Sequence, residues 1–134
     1  MARVVAGPTE LELLILKVLW KAGGPLIVRD VRERLADEEG RDLAHTTVVT
    51  TLHTMTDKKL VIRRQVNAKA YSFEARVEEG SVSLGMLEDL LTRVFDGSAS
   101  ALLVSLLDSG HVNEDEHREL RRLINRRRNQ GDEA

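Results

Sequence analysis

Apolar residues recur at helical spacing along most of the chain. In TELELLILKVLWKA (9–22), Leu11, Leu14, Ile15, Val18 and Leu19 form one stripe, which predicts a helix. Thr9 and Glu12 stand at the spacing of a capping box, and Gly23-Gly24-Pro25 stops the helix. Leu26 and Ile27 follow as a short extended stretch. A second helix over about 28–39 turns Val28, Val31 and Leu35 inward and shows Arg32, Glu33 and Asp37 to water. Gly40 ends it where a left-handed residue is useful. In HTTVVTTLHTMTDK (45–58), Val48, Leu52 and Met55 again share one face. Six threonines and two valines here are mediocre helix formers, so propensity alone would suggest a strand. The period and the short flanking loops outweigh propensity and predict a helix.

LVIRRQV (60–66) and AYSFEA (70–75) alternate in strand fashion around Asn67-Ala68-Lys69, a β-hairpin pattern. Helices are expected over 78–96, 98–108 and 113–128, parted by Gly97 and Gly110, with RRRNQGDEA (126–134) as a frayed tail. The order is helix, short strand, helix, helix, hairpin and three more helices. Its first five elements match a winged helix-turn-helix, in which the third helix enters the DNA major groove and the hairpin lies beside the backbone. The expected class is mainly α with a small β wing: a winged helix-turn-helix domain over 1–75, then an α-helical dimerisation domain over 76–134.

Charge sharpens this division. Residues 1–75 carry 12 Lys/Arg against 10 Asp/Glu, and residues 76–134 carry 8 against 12. Within 41–75, Arg41, Lys58, Lys59, Arg63, Arg64 and Lys69 outnumber Asp42, Asp57 and Glu74, a hint that this part meets a polyanion. The absence of cysteine excludes a disulfide scaffold, thiolate metal sites and cysteine nucleophiles. Aromatics are only 3%, so the core must be aliphatic. No apolar run approaches the roughly 18 residues of a membrane span, and the start lacks a signal-peptide core, so a cytoplasmic protein without membrane insertion is expected.

Enzyme signatures are missing: no nucleophile elbow, no Walker A loop and no dinucleotide fingerprint. His45, His53, His111 and His117 lack ligand spacing, so neither metal nor cofactor is expected. Glu114, Asp115, Glu116 and Glu119 at a helix start suit the helix dipole better than a metal. The third helix offers a more definite set. With Val48, Leu52 and Met55 inward, Thr46, Thr47, Val49, Thr50, His53 and Thr54 face outward, where hydroxyls and methyls can meet base edges and phosphates. Lys58 and Lys59 close that helix, and Arg63, Arg64 and Lys69 lie on the hairpin, placed for phosphates. A helical protein–protein adaptor, whose Thr-rich helix contacts a partner protein, is the alternative from another class.

TELELLILKVLW (9–20), VRDVRERL (28–35) and LAHTTVVTTLHTMTDKKLVIRRQVNAKAYSFEA (43–75) resemble the penicillinase repressors of the BlaI/MecI/CopY family, with a motif near T-V-x-T-x-L-x-x-M-x-x-K-x-L-V from Thr47 to Val61. The resemblance implies a dimeric repressor on a dyad operator, with Thr46, Thr47, Thr50 and His53 at the groove and Arg63, Arg64 and Lys69 on the wing. Its copper-responsive branch uses a C-terminal cysteine cluster, which this chain lacks. Its β-lactam-responsive branch is cut by a membrane sensor protease in the fifth helix, at an Asn-Phe bond in staphylococcal members. The aligned bond here is Ser105-Leu106, within ALLVSLL. Operator sequence, regulated genes and inducer are not encoded in any motif.

The segment 76–134 carries its own argument for a partner. Met86, Leu87, Leu90, Leu91, Val94, Phe95, Leu102, Val104, Leu106, Leu107, Leu120, Leu123 and Ile124 are many large apolar side chains for so short a piece. Such a segment rarely builds an adequate core alone, and each burial is worth about 1.5–3 kcal/mol, so a homodimer interface is expected there.

Overall fold

The computed structural model describes residues 7–133. Thr9 caps the first helix, α1 (Glu10–Ala22): its hydroxyl accepts the Glu12 amide hydrogen at 3.2 Å, and the Glu12 carboxylate accepts that of Thr9 at 2.9 Å. This is the reciprocal pair that the sequence spacing predicts. The buried face is rotated from the expected stripe. Glu12, Ile15, Leu16, Val18 and Leu19 are buried, whereas Leu11 and Leu14 are half-buried.

After the Gly-Pro break, β1 (Leu26–Ile27) runs directly into α2 (Val28–Glu39), which buries Val31 and Leu35. Gly40, at φ 69°, ends it in the left-handed conformation expected. The third segment is a helix, α3 (His45–Asp57), despite its β-branched residues. Part of the reason is local: the hydroxyls of Thr51, Thr54 and Thr56 donate to the carbonyls of Thr47, Thr50 and Leu52, one turn back. A threonine satisfied within its own helix has less to gain from the extended state.

β2 (Val61–Asn67) and β3 (Ala70–Ala75) form the hairpin, with β2 starting and ending one residue later than the pattern suggests. Asn67 accepts the Lys69 amide hydrogen on its side-chain oxygen at 2.9 Å, fixing the turn. The ladder shifts between Gln65 and Asn67, and Val66 at this bulge stands 56% exposed. The extended pair after Pro25 is a true strand. Leu26 pairs with Phe73 and Ile27 with Ser72, all antiparallel, giving a three-stranded sheet in the order β1-β3-β2. Three helices packed on this sheet make a winged helix-turn-helix, the class expected from the pattern. Its core joins Ile15, Leu16, Val18 and Leu19 to Val31, Leu35, Val48, Leu52, Met55, Val61 and Phe73. Trp20, half-buried at the end of α1, donates its indole hydrogen to the Val77 carbonyl at 2.9 Å, tying the chain beyond the wing to the first helix.

The chain parts into two compact units at Met86–Leu87. Beyond the wing come α4 (Glu79–Phe95), α5 (Ala99–Asp108) and α6 (Glu114–Glu133). The last helix corrects the expectation of a frayed tail from 126. It continues to Glu133 because Arg126, Arg127, Arg128 and Gln130 favour helix, and neither Asn129 nor Gly131 stops it. No residue of α4 or α5 is buried. Of the expected interface residues, Leu91, Phe95, Leu102, Leu120 and Leu123 are half-buried, while Met86, Leu87, Leu90, Val94, Leu106 and Ile124 are exposed. Among the described residues no single helix is long and apolar enough to cross a membrane.

Candidate nucleic-acid interface

The core side of α3 holds Val48, Leu52 and Met55, all fully buried, and this fixes which residues the helix turns outward. Thr46, Thr47, Thr50, His53 and Thr54 are exposed, and Val49 is half-buried on the flank toward the sheet. The hydroxyls differ in what they can still do. Thr54 already donates to the Thr50 carbonyl at 3.1 Å, so toward a base its oxygen can only accept. Among the described residues Thr46, Thr47 and Thr50 hold no such bond and keep both donor and acceptor capacity.

The cations expected around this helix have different surroundings. Lys58 reaches back to α1, its ammonium donating to Glu12 Oε1 at 2.9 Å, with 31% of its side chain exposed. Lys59 is exposed at the helix end with φ 65°. On the wing, Arg63, Arg64 and Lys69 are all exposed. Arg63 pairs opposite Phe73 and Arg64 opposite Ser72, so the two guanidiniums leave from opposite faces of the hairpin. Arg63 lies over the Tyr71 ring, 4.5 Å from its centroid, a cation–π contact that orients it.

Sequence reasoning missed the neighbours of these residues. His45, Val49 and His53 recur every fourth residue on one flank of α3, and with Arg29, Lys69 and Tyr71 they border a cleft between the helix and β3. The fourfold spacing was the available signal. Among the described residues no group of three or more His, Cys, Asp or Glu could hold a metal. Of the acidic cluster at α6, Glu116 forms a capping box with Asn113, accepting its amide hydrogen at 3.1 Å, while Asn113 accepts that of Glu116 at 2.8 Å.

Residues 8–126 match the family model described as the penicillinase repressor. The chain belongs to that family. The BlaI transcriptional regulator of Mycobacterium tuberculosis is 33% identical to this chain over 116 residues, 86% of this chain and 80% of the relative. The MecI methicillin resistance regulatory protein of Staphylococcus aureus is 25% identical over 79 residues, 59% of this chain and 64% of the relative. The family is one of transcriptional repressors, not of enzymes. Two solved structures share the fold. H. salinarum RosR grown from NaBr superposes with a TM-score of 0.50 at 16% identity, covering 97% of this chain and 99% of that chain. The hsRosR-SG complex gives 0.54 at 15% identity, with 87% and 88% covered.

Proposed function

We propose that this protein binds an inverted-repeat operator as a homodimer in the cytoplasm and blocks transcription by occupying it. In this reading α3 enters the major groove, with Thr46, Thr47, Thr50, His53 and Thr54 toward base edges and Val49 against a thymine methyl. Lys59, Arg63, Arg64 and Lys69 contact phosphates, and Lys58 positions the helix end through Glu12. The observation that carries the reading is the outward face of α3, where three uncommitted hydroxyls stand beside a cationic hairpin. Hydroxyls on a groove-sized helix read bases, and arginines on a wing supply counterion release.

A gel-shift series against promoter duplex and random duplex tests this. Promoter preference and a steep loss of affinity with salt are expected, and an adaptor surface would show neither. Thr50→Ala should cost about 1–3 kcal/mol on the operator and relax discrimination at one base pair. Arg64→Ala should weaken operator and random duplex alike and lower the salt slope by about one. Equal binding of both duplexes by the unmodified protein removes the repressor reading.

The exposed apolar faces of α4, α5 and α6 support the homodimer. Relief of repression follows cleavage at Ser105-Leu106, both exposed on α5, by a membrane sensor protease. Co-expression with the sensor should yield fragments parting at that bond, and an intact chain under induction would refute this route.

A further inference from the structure

The cleft between α3 and β3 is not explained by groove contacts. It measures about 310 Å³, at the small end of ligand clefts, which run from about 300 to 1,000 Å³. Its apolar lining is Ile27, Val28, Val49, Ala70 and Phe73, the last only 2% exposed. Its polar lining is Arg29, His45, His53, Lys69 and Tyr71, with no carboxylate among the lining residues. The nearest ion pair is a loose one, Arg29 Nε to Asp30 at 4.0 Å, with 73% of the arginine side chain exposed and available. Two permanent cations and three further hydrogen-bond donors border an apolar space that a bare phosphate would not need.

We propose that this cleft binds a small organic anion, an aryl or branched short-chain carboxylate, whose ring or chain rests among Val28, Val49 and Phe73 while Arg29 and Lys69 hold the carboxylate. Apolar contact plus a charge-assisted hydrogen bond is the usual combination in such sites. Because His53, Val49 and Lys69 also belong to the proposed DNA surface, an occupant there competes with the operator. This second half rests on the repressor reading. It makes the chain responsive to a metabolite without a cysteine and without cutting the chain.

Calorimetric titration of the full chain without DNA, using sodium benzoate, benzamide, sodium acetate and inorganic phosphate, tests the site independently of any operator. Benzoate should bind measurably, with benzamide, acetate and phosphate each weaker by about tenfold or more, the scale of losing the charge or the apolar contact. Arg29→Glu, at an exposed position, should lower benzoate affinity by about tenfold or more. Val28→Phe, which fills the apolar space, should do the same, and amide shifts of Val49 and Ala70 in the unmodified protein should localise the binding. Absence of benzoate binding overturns the proposal. Phosphate binding as tight as benzoate reassigns the cleft to a backbone phosphate and also overturns it. In a separate gel shift, benzoate should displace operator from the unmodified protein and require higher concentration for Arg29→Glu. Benzoate binding without displacement would overturn the competition alone.

Discussion

The Glu12 carboxylate, 2% exposed, accepts two hydrogen bonds on one oxygen, from the Thr9 amide and from the Lys58 ammonium 46 residues away. Removing it takes away a cap and strands a partly buried cation. Glu12→Ala should therefore lower unfolding free energy by about 2–4 kcal/mol in urea titration, below the range for a wholly buried pair because Lys58 keeps water contact. Glu12→Gln, which can still close the capping box, should lose less. The cap was legible from Thr9 and Glu12 alone; the ammonium was not, because nothing local marks Lys58 as lying against α1. Lys59 offers the opposite case. It holds φ 65° while its amide donates to the Thr56 carbonyl and that of Leu60 to the Met55 carbonyl, the paired bonds of a Schellman end. A glycine has no Cβ to strain there, so Lys59→Gly should raise stability by about 0.5–1 kcal/mol in the same titration.

At the scale of elements, the period of three to four residues located every helix, including α3, where propensity argued otherwise. It did so because burial of Val48, Leu52 and Met55 outweighs the small cost of each β-branched residue. The hairpin was legible from alternation and a polar turn. The pairing of Leu26 and Ile27 with β3 was not, since two residues carry no period and their partners lie 45 or more positions along the chain. Nor could alternation tell the two wing arginines apart without the register that sets Arg63 toward Tyr71. Phe73 shows what β3 contributes as the central strand: it pairs with Leu26 on one side and Arg63 on the other and closes the core. Phe73→Ala should cost about 3–5 kcal/mol, measured by chemical unfolding, with loss of the cleft floor as a second effect.

Across the whole molecule, the buried core lies between Ile15 and Phe73, and neither α4 nor α5 contributes a buried residue to it. Leu84, Leu87, Leu90, Val94, Leu103 and Val104 face water instead, each at least 42% exposed. On the proposed homodimer, a unit with so little interior of its own draws stability from the partner, so its unfolding midpoint should rise with protein concentration. Leu91→Asp should push a dimer toward a 15.0 kDa species in sedimentation and weaken operator binding, with the winged-helix unit still folded. The chain also carries one tryptophan, and it is Trp20, held against the Val77 carbonyl within the first unit. The indole emission accordingly watches α1 and the segment that follows the wing. On heating a dilute sample, the loss of helical circular dichroism should begin before the indole spectrum shifts red, and the gap between the two traces should close as the sample is concentrated.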